Sequence, residues 1–398
     1  MPLTVAYTSA GKLYLKEGDR PAREVVSRFG QGVISRALKQ GERDGWKFQR
    51  KGGNPMFGGA TIWGGRDPGE LALVPPRITG VARAADKDTL LYLLETETVG
   101  GLFRFDRLQD QEHRLFHKEA FRAKDPDFHP DLGLLAFSLP FPNGLSSLMT
   151  VDAEGKSLER WTEGDSIDEA PSWLPDHRRA LVYHSAGIAR TPQGEPVGWG
   201  PCSLHRIDLE NRKAEALLQD PEFDFMLPHG TRNGELLFVR RPYESVHGRS
   251  PSALTVLKDI LFFPFRVGRS ILSFLNAFSI AFSQKPLMTA GGPKMKGPEI
   301  RDLFIRGRAV DARKAMRESR DGDEPPSLVP SSWELVRRAA DGSLKVLAKH
   351  VLAYDVGPKG GVVYTTGSAV YLLDAEGARR RLEKGSVIDQ VVFLEEAI

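Results

Sequence analysis

Chemistry needs reactive side chains in company, and this chain offers few such groupings. Its nine histidines are scattered as His113, His117, His129, His177, His184, His205, His229, His247 and His350. Only His113 and His117 stand close. In a strand their spacing places both on one face without bringing them into ligand geometry. No zinc-finger spacing and no His-Glu-x-x-His occurs, so no metal site is expected. A Gly-x-Ser-x-Gly elbow is absent, as is any long α/β segment that would hold a hydrolase sheet. The stretch Lys51-Gly-Gly-Asn-Pro-Met-Phe-Gly-Gly is rich in glycine. Without Gly-x-x-x-x-Gly-Lys-Ser/Thr it does not make a phosphate loop, and it reads as a surface loop or lid. Cys202 is the single cysteine; it has no partner for an intramolecular disulfide and reads as a small buried or half-buried residue at a strand start. Aspartates and glutamates fall mainly at turns, where they satisfy backbone groups. These readings predict a protein that is not an enzyme, with no cofactor and no catalytic residue.

The most distinctive side chains are apolar and basic instead. Residues 252–283 carry Phe262, Phe263 and Phe265 around Pro264, where two helices are predicted to join or kink. On the second, Ile271, Phe274, Leu275 and Phe278 recur at helical spacing, with Arg266 and Arg269 at one end. Such a face suits an interfacial helix, its phenylalanines entering the acyl boundary while cations meet anionic headgroups. It suits a groove on a protein partner, a second copy of the chain, or the side of its own fold equally well. The run Ile260 to Phe282 is broken by Pro264, Arg266, Gly268 and Arg269, so it does not read as membrane-spanning. The basic run from Lys294 to Arg320 reads as another amphipathic helix, and Asp321-Gly-Asp-Glu-Pro-Pro as a flexible return.

Global charge narrows the partner. Lys and Arg number 55 against 52 Asp and Glu, a net +3, too little to argue for nucleic acid. The N-terminal Met1-Pro-Leu-Thr-Val-Ala-Tyr lacks the features of a signal peptide, which sets the expectation of a cytoplasmic protein, peripheral to the membrane at most.

The elements that must position these residues form a repeat. A strand, a turn of Asp, Glu, Gly or Asn, and a second strand recur from Lys12, Leu102, Ser147, Ser203, Trp333 and Val370. Upstream of most copies lies a second pairing, as in Asp127-Phe-His-Pro-Asp-Leu-Gly-Leu-Leu-Ala-Phe-Ser and Leu227-Pro-His-Gly-Thr-Arg-Asn-Gly-Glu-Leu-Leu-Phe-Val. The unit is a four-stranded meander of roughly 40 to 50 residues, the size of a propeller blade. The chain ends are complementary. Val387 to Leu394 reads as a lone first strand, and Leu3 to Val26 supplies three strands that lack one, so the ends close a single blade and remove free edges.

The pattern Pro-x-Trp/Phe-x-Pro-Asp-x-x-x-x-apolar-x-aromatic at Pro126 to Phe137 and Pro171 to Tyr183 resembles the repeat of TolB-like propellers. That resemblance implies an all-β, six-bladed β-propeller in which Trp173, Phe128, Asp131 and Asp176 are scaffold, and a role in binding proteins. The expected organisation is a propeller over 1–241, with a glycine-rich excursion at 30–79, an amphipathic helical insertion in the fifth blade over 242–330, and the rest of the ring over 331–398. The expected function is a binding scaffold whose insertion meets a membrane surface or protein partner. The alternatives are a hydrolase or lyase assembled around the central channel, and a homo-oligomer built through the insertion.

Overall fold

The computed structural model describes residues 3–36, 39, 75–175, 179–190, 193, 196–243, 302–305, 308–311, 315, 325–374 and 377–395. Nearly all of them are strand or turn. Blade one joins both ends of the chain: Ile388–Glu395 lies innermost, followed outward by Thr4–Ser9, Lys12–Glu17 and Arg23–Val25. Blade two runs through Arg77–Arg83, Thr89–Glu95, Val99–Asp106 and Gln111–Glu119. Blade three comprises Lys124–His129, Leu134–Pro140, Ser146–Asp152 and the short Glu159–Arg160. Blade four comprises Ser166–Trp173, Ala180–Arg190, Ser203–Asp208 and Lys213–Leu218, and a parallel bridge from Ser146 to Ile167 ties it to blade three. Blade five is Phe223–Gly230, Leu236–Pro242, Glu334–Arg338 and Leu344–Lys349, and blade six is Ala353–Val356, Val362–Thr365, Ala369–Leu373 and Arg379–Lys384.

The six hairpins read from the sequence are the third and fourth strands of these blades, and the complementary ends pair as expected, Thr8 opposite Gln390 and Tyr7 opposite Val391. The inner strands touch in cyclic order from blade two round to blade one and back, which closes the ring.

Burial follows position in the blade. Second strands are covered on both faces, so Thr89–Glu95 reads as a continuous apolar run rather than an alternating one. Fourth strands are polar edges: Gln111–Glu119 and Arg379–Lys384 carry charged side chains outward, which discourages edge-to-edge pairing. Among the described residues six apolar clusters form between neighbouring blades. The cluster of Val363, Val370, Tyr7, Val391 and Phe393, for example, joins blade six to blade one.

The excursion after blade one begins with a helix at 28–36. Its start is held from two sides. The Ser27 hydroxyl accepts the Gly30 N–H at 3.1 Å, and the Glu112 carboxylate from the edge of blade two accepts the N–H groups of Arg28 and Phe29 at 2.8 and 3.1 Å. A capping hydroxyl and an anion at the N-terminus satisfy donors that the helix leaves open.

One expectation for the insertion is corrected. Within the basic run expected to be helical, Asp302–Ile305 pairs antiparallel with Arg308–Asp311. The segments Leu303-Phe-Ile and Ala309-Val have strand-favouring side chains, and Ile305 opposite Arg308 leaves only Arg306 and Gly307 to connect them, a hairpin spacing. Of the expected flexible return, Asp321 to Glu324 lie outside the described residues, and the chain that follows is fixed. Ser327, Leu328 and Val329 are buried, the Leu328 N–H donates to Thr366 O at 3.0 Å, and Ser368 Oγ donates to Pro326 O at 2.7 Å. Phe262, Phe263, Phe265, Arg266, Arg269, Ile271, Phe274, Leu275 and Phe278, and the glycine-rich stretch from Lys51, lie outside the described residues.

Candidate functional site on the propeller axis

The site begins with a repeated backbone irregularity. In blades three, four and five the inner strand carries two residues opposite one of the second strand, and the first of each pair, Asp125, Ala170 or Leu227, has φ of 51°, 51° or 53°, in the left-handed region. The next residue is proline each time: Pro126, Pro171, Pro228. Bulges of this kind redirect the following side chain, and a positive φ at a non-glycine residue has an energetic cost that such positions bear. Blade two makes room with Gly80, where a Cβ would stand 2.3 Å from Pro126 Cδ.

The residues after the prolines, Asp127, Ser172 and His229, meet Arg83 of blade two and Asp355 of blade six around a cavity on the axis of about 100 Å³. Val392 of blade one completes this layer, so every blade contributes to it. Ser172 Oγ lies 3.2 Å from His229 Nδ1. Arg83 stands 3.7 Å from Asp355 Oδ1 and donates to Val356 O at 3.2 Å. Tyr354 spans two blades, its hydroxyl donating to Leu227 O at 2.7 Å.

Both carboxylates also serve the ring. Oδ2 of Asp127 accepts the Trp173 N–H and Oδ2 of Asp355 accepts the Phe393 N–H, each at 2.8 Å and each from the next blade. Gln390 clasps blade two, accepting the Val81 N–H at 2.9 Å and donating to Val81 O at 3.2 Å. Trp173 is therefore scaffold, as the repeat implied.

Burial sets the electrostatics. It pushes the Asp127 carboxyl above the ordinary carboxylate range, an effect opposed by His229, the Trp173 N–H and Arg83 and reinforced by Asp355. It holds the His229 imidazole below its ordinary value, opposed by the Asp355 and Asp127 charges and reinforced by Arg83. The pair thus consists of a neutral imidazole and a carboxyl that retains its proton more readily than usual. Such a pair can bind polar groups and exchange a proton. The stability consequence has a definite sign. With His229 depressed, the unfolded chain takes up the proton first as pH falls below about 6.5, and the native state loses stability there. Asp127 is raised, so it acts oppositely, adding native stability as pH falls through its folded value. Replacing His229 by Gln is expected to shrink the loss of Tm between pH 8 and pH 5.5; an unchanged loss would show that His229 does not titrate in this way.

The axial residues were not singled out from the sequence, where acidic residues were assigned to turns. Asp127 and Asp355 correct that reading, because they face the axis. The available signal was the column after proline in Asp125-Pro-Asp, Ala170-Pro-Ser and Leu227-Pro-His. His113 and His117 sit on the exposed edge of blade two, and Cys202 is buried just before a strand, as read. Among the described residues no group of three or more His, Cys, Asp and Glu side chains is placed to hold a metal ion, and no helix is long and apolar enough to cross a membrane.

No protein-family model matches the sequence, and no curated protein matches it. Solved structures do. TolB from Acinetobacter baumannii superposes with a TM-score of 0.50 at 13% identity, over 98% of this chain and 66% of TolB, so the chain spans just under two thirds of that protein. The structure of a nidogen/laminin complex gives 0.49 at 8% identity over 98% of both chains, and a putative TolB from Agrobacterium tumefaciens gives 0.42 at 14% over 80% and 86%. The likeness to the Acinetobacter protein establishes the fold, a TolB-like β-propeller.

Proposed function

We propose that the protein is a non-enzymatic binding scaffold which presents the blade-five insertion to a membrane surface or a protein partner. The TolB-like propeller fold supports a scaffold or binding role. The observation that carries the finer reading is where the chain leaves the repeat. All three long departures, residues 26–76, 191–202 and 243–333, depart from the same face of the ring, the one where inner strands begin. The connections on the opposite face, such as 84–88, 130–133, 231–235 and 357–361, are tight turns. One face is therefore elaborated and the other is bare, which is how a ring devotes a surface to a partner.

The stem of the largest departure is firmly built. Arg240 remains opposite Glu334, so blade five pairs as though residues 243–333 were absent, and Tyr243 donates to Trp199 O at 2.7 Å across to blade four. Among the described residues the return of the insertion joins the ring's core at Leu328, Val329 and Trp333, and we assign the apolar face centred on Phe274 and Phe278, supported by Arg266 and Arg269, to a contact with the partner. Flotation of the full-length protein with anionic phosphatidylglycerol vesicles tests the membrane form. The wild type is expected to float, and Phe274→Asp with Phe278→Asp to remain at the bottom of the gradient. If both float alike, the apolar face is not the contact.

A second reading has its own support in Asp127, His229 and Asp355, because carboxylates and an imidazole converging on the axis are what an enzyme working in the channel would require.

A further inference from the structure

The wall of the axial cavity is rich in acceptors and poor in donors. Pro126, Pro171 and Pro228 are consecutive around it and have no N–H to offer. The side chains add Asp125, Asp127 and Asp355 against a single cation, Arg83, which is already committed to Val356 O and to Asp355. Oδ2 of Asp127 is held by the Trp173 N–H, and among the described residues no hydrogen bond reaches its Oδ1. The Ser172 hydroxyl and the His229 ring, 3.2 Å apart, line the same cavity. A volume of about 100 Å³ leaves room for a ligand of only a few heavy atoms.

We propose that the axial cavity binds a small primary ammonium compound, its N–H donors directed at Asp127, Ser172 and Asp355. An ammonium group has three donors and no acceptor, the complement of this wall, and its charge offsets the excess of carboxylates. A carboxylate-bearing ligand would place acceptor against acceptor and would meet the like charge of the cavity's carboxylates. The specificity comes from the cost of leaving buried acceptors unmatched, which a cation without N–H groups cannot avoid. Binding selects the ionised form of Asp127, whose surroundings comprise Arg83, Asp125, His229, Tyr354 and Asp355, so affinity rises with pH across the titration of that carboxyl. The inference does not depend on the role of the blade-five insertion.

Isothermal titration of the full-length protein with ethanolammonium chloride tests it, with tetramethylammonium chloride, sodium acetate and magnesium chloride as the other arms. Ethanolammonium is expected to bind at least tenfold more tightly than any of the three. Asp127→Asn keeps an acceptor for the Trp173 N–H and should fold while binding at least tenfold more weakly. Ser172→Ala is a second variant, expected to lose roughly threefold, and serves if the first is unstable. Phe274→Asp with Phe278→Asp should leave this binding unchanged whatever it does to flotation. Equal binding of tetramethylammonium or acetate, preference for magnesium, no heat with ethanolammonium, or undiminished affinity in both axial variants would each overturn the proposal.

Discussion

A chain ending at residue 386 is expected to lose the native ring altogether, appearing expanded or aggregated by size exclusion, with its strand signal in circular dichroism greatly reduced. The missing segment is the inner strand of blade one, and Ile388, Val391, Val392, Phe393 and Leu394 within it are buried. Truncating a single buried residue of this size to alanine costs about 2–5 kcal/mol, while the net stability of a domain is roughly 5–15 kcal/mol. Losing five together exceeds what the fold can spare. The polar clasps go as well: Gln390 to Val81, Asp389 to the Thr8 hydroxyl at 2.6 Å, the Phe393 N–H to Asp355, and Glu395 to Arg107 at 3.5 Å. Phe393→Ala, a milder probe, should cost about 3–5 kcal/mol in denaturant unfolding. A truncated chain that elutes as a compact monomer with native circular dichroism would disprove the closure.

The second large effect is expected at the stem of the insertion. Asp224 and Arg241 are cross-strand partners in blade five, both buried, with Oδ2 and Nε 3.0 Å apart. Asp224 Oδ1 accepts the Cys202 N–H at 2.8 Å, and the Arg241 guanidinium lies 4.6 Å from the centre of the Trp333 ring. The pair therefore links blade four, blade five and the point where the insertion returns. Arg241→Met alone strands a buried carboxylate and should destabilise by about 3–5 kcal/mol. Adding Asp224→Leu removes the orphaned charge, and the double variant should recover most of the loss, since apolar replacement of a whole buried pair is often neutral. Thermal and urea unfolding of the three proteins checks this. A cost below about 1 kcal/mol for Arg241→Met would show that removing Arg241 strands no buried charge and that the pair does not hold this junction.

How much of this was legible in the sequence depends on what each feature requires of its residues. The outer hairpins were legible because each needs a short, stereotyped signal. Asp106, Asp152, Asp208, Asp341 and Asp374 sit at the turns between third and fourth strands, and each carboxylate accepts N–H groups a few residues on. The mixed-terminus closure was legible from complementary strand counts. The axial site was not, because it takes one residue from each blade and those residues are chemically unlike: Arg83, Asp127, Ser172, His229, Asp355 and Val392. No local spacing joins them, and only superposing the repeats on their prolines would have placed three of them in one column. The hairpin at Asp302–Asp311 was misread as helix because its basic residues suggested a solvated helical face, while the strand signal lay in Leu303-Phe-Ile and a glycine-containing two-residue connection.

The pairing of Thr4–Ser9 with Ile388–Glu395 also has a consequence for how the molecule is made. Of all the ring's strands, the inner strand of blade one leaves the ribosome last, after synthesis that proceeds at about 5–20 residues per second. Until then the first blade waits as three strands with an apolar inner edge, and the cluster shared with blade six lacks Ile388, Val391 and Phe393. The contact that completes the fold is also the one of highest sequence separation, so its loop-closure entropy is met only when the other five blades have already shortened the gap. During that interval the nascent chain exposes the kind of open strand edge that holdase chaperones recognise.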